Sequence, residues 1–340
     1  MIERVLTDAI DRMCSEPCPP GLAAAIRHAV FPAGGRIRPN LCCAVFEAVA
    51  DETGLTGADR DSARALALAA GCSIELLHCA SLVHDDLPCF DDADIRRGKA
   101  TVHKAFGEAL AVLAGDALLV GAFDLIGRAA LAPKGDGQQA ALGAIVFQRV
   151  VQCVAAPSGI IAGQAWESED VIDLAAYHDA KTGALFVAAT ACGALAAHGD
   201  IARWEAFGSR IGQAYQVADD LKDCLFGASE TGKPEHQDVR NDRPSAVVEL
   251  GVQGARQRLK DIVDEALALA GTGPGSSALQ ALVLRAMGRL LPSVSTSDET
   301  SVTGLRPGDG TTCTTASATS QGHGRQHVAA RSEATAGHVS

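Results

Sequence analysis

Residues 60–84 read RDSARALALAAGCSIELLHCASLVH, and no other stretch restricts the fold as much. Over about six helical turns it carries few charges. A helix built from it is apolar on most faces and belongs inside a bundle rather than on its surface. The rest of the chain agrees. Ala and Leu dominate, aromatics reach only 4%, and Val and Ile rarely alternate with polar residues, so the strand signal is weak from end to end. The expectation is an all-α fold. Helices are expected over 20–30, 38–51, 60–86, 105–131, 138–155, 172–198, 202–225, 244–270 and 276–291. Breakers such as PAGG at 32–35, APKGDG at 132–137 and GTGPG at 271–275 separate them.

With 340 residues and 47% apolar content, the chain can bury one large core or two smaller ones. From about Ser293 the composition turns to Ser, Thr and Gly with almost no large apolar residues. Such a segment cannot bury enough surface to fold. The expected organisation is a single all-α domain over 1–292 and a disordered tail over 293–340. The net charge of −12 argues against nucleic acid, whose phosphates are met by clustered Lys and Arg. It does not exclude a diphosphate, which binds among carboxylates when divalent cations lie between them. The opening MIERVLTDAIDRM has acids and no apolar run, unlike a signal or transit peptide. The region from Ala65 to Val83 is interrupted by Glu75 and His78 and lacks the clean run of about 20 residues of a membrane span. A cytoplasmic location without a membrane span is expected. Eleven cysteines, an odd number, fit a reducing compartment. Cys14 and Cys18 have no second pair at zinc-site spacing.

Two carboxylate clusters carry the chemistry. In DDLKD at 219–223, Asp219 and Asp223 stand at i and i+4, one turn apart on one helix face, with Asp220 beside them. Carboxylates packed together repel one another, and burying them is costly unless cations neutralise them. The earlier cluster lies in HDDLPCFDDADIRRGKATVHK. Pro88 disfavours helix at Leu87, so a helix is expected to end near Asp86, with Asp91 reaching back from a loop. Mg²⁺ prefers oxygen ligands and usually keeps water and substrate phosphate in its shell. A single acidic run is as well explained by a solvated helix face. Two runs 134 residues apart, each after a long apolar helix and the first followed by Arg96 and Arg97, fit a magnesium diphosphate site, since guanidinium groups bind phosphate oxygens in pairs.

On these residues the sequence resembles the trans-prenyltransferases of the polyprenyl synthetase family, and within it the bacterial geranylgeranyl diphosphate synthases of carotenoid pathways. The resemblance runs from about residue 20 to 291. It rests on GGRIRP at 34–39, ELLHCASLVHDDLPCFDDADIRRGKATVH at 75–103, LAGDALL at 113–119, GQAWESE at 163–169, KTGALF at 181–186, and YQVADDLKD with GK at 215–233. It implies an isoprenoid synthase-type helical bundle around a central cavity, usually a homodimer, that joins isopentenyl diphosphate to an allylic diphosphate. It implies Asp85, Asp86, Asp91, Asp219, Asp220 and Asp223 as ligands of Mg²⁺, about three ions with the substrate diphosphate. Arg96, Lys181, Lys233 and Arg243 then belong to the allylic diphosphate, with Thr182 and Gln216 near the carbocation. Gly35, Arg36, Arg38, His78 and Arg97 belong to the isopentenyl diphosphate. Ala80, five residues before Asp85, and the neighbouring Ser81 fall where the family places the wall that limits chain length. Small residues there imply a C20 product, with C15 as the alternative.

Three positions depart from the family pattern. Gly35 replaces the usual lysine, with Arg36 beside it as the substitute cation; Glu167 stands where many relatives have Asp; and Arg243 replaces a second lysine. A terpene cyclase would lack the second aspartate motif and the His78, Arg96 and Arg97 set. A non-catalytic regulatory subunit would fit the loss at Gly35 but not the intact clusters.

Overall fold

In this computed structural model, the described residues are 1–31, 34–131, 137–225 and 246–290. The opening residues form α1 (Ile2–Met13), which was not among the expected helices. It buries Leu6, Ala9 and Ile10, the i, i+3, i+4 stripe of an amphipathic helix. There follow α2 (Pro20–Val30), α3 (Ile37–Thr53) and α4 (Gly57–Asp85). Pro at the first position of α2 suits a helix start, since its missing N–H would be unpaired there. As expected from its sequence, α4 is the core helix: its charge-poor stretch buries side chains on every face, and α3, α6, α7 and α10 pack around it.

After α4 comes the one pair of strands among the described residues, β1 (Ile95–Arg96) and β2 (Lys99–Ala100), antiparallel. Arg97 and Gly98 join them with φ of 54° and 76°, the positive values a two-residue I′ hairpin turn requires. Then come α5 (Val102–Phe106), α6 (Glu108–Leu131) and α7 (Gly137–Gln152). Next, α8 (Ile160–Ala165) runs into a 3₁₀ turn, Trp166–Ser168. Where one helix was expected over 172–198, the chain forms α9 (Leu174–His178), a π-turn over Asp179–Gly183, and α10 (Ala184–Ala196). The bundle is completed by α11 (Ile201–Leu225), α12 (Ala246–Ala270) and α13 (Pro274–Leu290). Buried apolar side chains from α1 through α13 form one continuous core. Lys233, Arg243 and the tail over 293–340 lie outside the described residues.

Two helices, α4 and α6, are long and apolar enough to cross a bilayer, by length and composition alone. The apolar window of α4 is 83% buried in the bundle, whereas that of α6 is 44% buried. Val112, Leu113 and Val120 of α6 are exposed.

Candidate active site

The first carboxylate cluster sits where α4 stops. Asp85 is its last residue and Asp86 its C-cap; Pro88, two residues on, disfavours a further helical turn. The chain doubles back, with Asp91 N donating to Asp85 O at 2.9 Å and Ala93 N to Asp86 O at 3.2 Å. Asp91 is thereby returned to the end of α4, as its spacing led one to expect. Arg96, on β1, donates from Nε and Nη2 to Asp86 Oδ1 at 2.9 and 2.5 Å. Burial raises the Asp86 pKa even against the pull of Arg96. For Arg96 burial works the other way, but Asp86 outweighs it and the guanidinium pKa is raised.

Asp85 is reached from the opposite side. Gln164 Nε2 donates to its Oδ1 at 2.7 Å, and Lys181 Nζ stands 3.7 Å from the same oxygen. Lys181 also donates to Glu167 Oε1 at 2.5 Å, an atom that accepts from Tyr177 OH at 2.6 Å. The 3₁₀ turn carrying Glu167 and the π-turn carrying Lys181 are thus tied together. Gly163 makes this crossing possible: a Cβ there would lie 2.4 Å from the Lys181 backbone nitrogen.

The second cluster ends α11. Asp219 is half-buried, Asp220 buried and Asp223 exposed. Asp220 has a task the sequence did not disclose: its Oδ2 accepts from Ala246 N at 2.8 Å, the first amide of the opening turn of α12, which is kinked at the non-helical Gly251 (φ 67°). Its Oδ1 accepts from Gln216 Nε2 at 3.1 Å, and Gln216 Oε1 accepts from Thr182 Oγ1 at 3.2 Å. Neighbouring residues of the π-turn therefore reach opposite clusters, Lys181 toward Asp85 and Thr182 through Gln216 toward Asp220. Short π segments in α-helices are frequent at functional sites.

A second basic group lies further down α4. His78 is two turns before Asp85 on nearly the same helix face, and Arg97 Nη2 stands 3.4 Å from its Nε2. Burial, reinforced by Arg38 and Arg97, holds the His78 pKa well below its usual value. Arg38 lies over the Phe186 ring at 4.7 Å, with its Nε buried and unpaired; burial lowers its pKa, opposed by Glu75. Arg36 is not brought to this group as a free cation. It is 6% exposed, donates to Glu3 Oε1 at 2.8 Å, Glu75 Oε1 at 3.0 Å and Val30 O at 2.9 Å, and so acts as a buried strut between α1, α2 and α4. The expectation that it replaces a lysine at Gly35 is not met by its geometry. Gly35 itself is exposed.

Ser81 lies within about 40° of Asp85 around α4, at 100° per residue, whereas Ala80 lies about 140° away and is fully buried. Of the two expected wall residues, Ser81 shares the face of the aspartate. Sequence reasoning overlooked Gln164, although its motif was in view, and Glu75, whose burial beside Arg36 only the fold reveals.

The polyprenyl synthetase family model matches residues 19–275. The chain belongs to the polyprenyl synthetase family. Among curated relatives it is 49% identical over 292 residues to a geranylgeranyl diphosphate synthase of Cereibacter sphaeroides, covering 86% of this chain and 96% of that one. It is 47% identical to another from Rhodobacter capsulatus, covering 83% and 92%. Among solved structures it is similar to an FPP/GFPP synthase from Zymomonas mobilis, with 29% identity and a TM-score of 0.66 over 84% of this chain and 97% of that one. A geranyltransferase from Helicobacter pylori complexed with magnesium and isoprenyl diphosphate gives 27%, 0.65, 85% and 96%. The family places this chain among the prenyltransferases, and its all-α fold is that of the solved members.

Proposed function

We propose that this chain is a geranylgeranyl diphosphate synthase, which extends allylic diphosphates, farnesyl diphosphate and shorter, by head-to-tail addition of isopentenyl diphosphate. One observation supports this above the others: Lys181 and Thr182, adjacent on the π-turn, link the two carboxylate clusters, while His78, Arg97 and Arg38 gather separately on the side of α3 and α4. One basic group serves each diphosphate.

The donors fit magnesium. Asp85, Asp86, Asp91, Asp219 and Asp223 offer the hard oxygens it prefers, and Gln164 Oε1 is buried without a partner. Among the described residues no three His, Cys, Asp or Glu side chains gather closely enough to hold a metal alone. The proposed ions, about three, are held by carboxylates together with water and substrate phosphate. When bound, they would neutralise the charge that develops on the departing diphosphate. Lys181 and Arg96, with Lys233 and Arg243, hold that group and stabilise it electrostatically. The allylic C–O bond breaks heterolytically. Thr182, its proton directed at Gln216, turns oxygen lone pairs toward the resulting cation. The isopentenyl double bond attacks that cation, and the released proton passes to the free diphosphate. Neutral His78 donates to the second diphosphate without competing for the proton, beside Arg38 and Arg97. No protein nucleophile takes part.

We further propose a cytoplasmic homodimer; the exposed apolar Val112, Leu113 and Val120 of α6 offer it a contact face. A C20 end point is checked by the chromatographic profile of products from dimethylallyl and isopentenyl diphosphates. Accumulation of C20 is expected, with Ser81→Phe shortening it; a profile ending at C15 in the unsubstituted protein would make it a farnesyl diphosphate synthase.

A further inference from the structure

The loop carrying Asp91 is held from two sides, and only the inner side belongs to α4. Its outer side is gripped by the residues that open α5. Thr101 is the N-cap of α5, yet its hydroxyl makes no cap bond, although Thr at this position commonly bonds the first free amides of its own helix. Instead Thr101 Oγ1 donates to Ala93 O at 2.7 Å, and Thr101 N donates to Asp94 O at 3.0 Å. Since the single hydroxyl proton is committed to Ala93 O, Thr101 Oγ1 can only accept from His103 Nδ1, 3.1 Å away. This fixes the ring with its Nδ1 proton toward Thr101. His103 Nε2, buried without a hydrogen-bond partner, faces Asp92 Oδ1 at 3.5 Å, so the ring holds the loop through Thr101. Lys104 Nζ closes the arrangement, 3.1 Å from Asp92 Oδ1 and 2.9 Å from Asp94 Oδ1. Thr101 and His103 are almost fully buried, at 2% and 6% exposure. Asp92 adopts φ of 45°, a conformation that persists where the surroundings enforce it.

We propose that Thr101, His103 and Lys104 are positioning residues that clip the loop over 91–94 from outside, so that Asp91 is presented beside Asp85 and Asp86 before any cation arrives. This rests on the metal role proposed for Asp91. The clip touches neither diphosphate group directly. Its loss weakens use of Mg²⁺ rather than binding of isopentenyl diphosphate, and outer partners of metal ligands typically change metal affinity by about 10- to 100-fold.

The full chain is tested with Thr101→Val, His103→Ala and Lys104→Ala by two readouts. The first is amide hydrogen exchange over residues 85–94, which reports local opening. The second is the Mg²⁺ concentration giving half-maximal condensation. Thr101→Val and His103→Ala should speed exchange at 91–94 roughly tenfold and raise the half-activating Mg²⁺ roughly tenfold, with KM for isopentenyl diphosphate within about twofold. Lys104→Ala, removing an exposed pair, should do less. His103→Asn, which keeps a donor near the Nδ1 position, should recover part of the loss. Unchanged exchange at 91–94 in a folded variant overturns the clip. So does a rise in exchange over the whole bundle with both KM values shifting together, which would mark a merely structural role. Should His103→Ala not fold, Thr101→Val carries the same test. If the unsubstituted chain shows no condensation, the functional reading falls, and the exchange result together with Mn²⁺ binding still decides the clip.

Discussion

The two carboxylate clusters end long helices, yet they are held in opposite ways. The first is a loop device: Asp91 returns to the end of α4 through backbone bonds, Arg96 pins Asp86, and Gln164 and Lys181 approach Asp85 from another helix. The second is a helix device: the regular turn of α11 sets Asp219 and Asp223 side by side, and Asp220 is bonded to the start of α12 and, through Gln216, to Thr182. A loop requires many partners to fix a carboxylate, whereas a helix provides the spacing in its backbone. Substitutions around the first cluster should therefore disturb stability as well as chemistry, and those around the second should separate the two.

Arg96→Leu tests the contrast most severely. It leaves Asp86, 3% exposed, as a buried charge without its guanidinium, and stability should fall by about 3–5 kcal/mol, read from denaturant unfolding. Asp85→Ala and Asp219→Ala should each reduce kcat/KM by about 10²–10³-fold, the scale for losing one preorganised electrostatic contact. Near-equal losses at the two positions would show that the clusters act on one reaction despite their different supports. Asp220→Ala removes the side chain that caps α12, and a loss of about 0.5–2 kcal/mol is expected.

A smaller effect concerns pH. His78, on α4, is kept neutral by burial and by Arg38 and Arg97, with its folded pKa well below the unfolded value of about 6.5. Below that pH the unfolded chain takes up a proton that the folded chain refuses, so this contribution to stability is present above about pH 6.5 and is lost as pH falls. His78→Asn should flatten that part of the stability profile. The sequence of α11 itself has no histidine.

What the sequence made legible follows the same division. The i, i+4 pair in DDLKD and the helix stop at Pro88 are local rules, and both could be read directly. Arg36 could not be placed, because its partners Glu3 and Glu75 lie 33 and 39 residues away and its burial depends on how α1 docks. The same holds for Asp220, whose second partner begins α12, 26 residues further on. The break of the helix expected over 172–198 into a π-turn also escaped local rules. It depends on α8 crossing backbone to backbone at Gly163. The start of the chain is a different case, since the stripe of Leu6, Ala9 and Ile10 was there to be seen.

Both clusters are proposed to close on one diphosphate through metal. Calorimetric titration with a non-hydrolysable thiolodiphosphate analogue of farnesyl diphosphate, with Mg²⁺ and with chelator, tests it most directly. Binding should require Mg²⁺ and be lost in Asp85→Asn and in Asp219→Asn alike. Metal-dependent binding that survives unchanged in either variant would contradict a shared site.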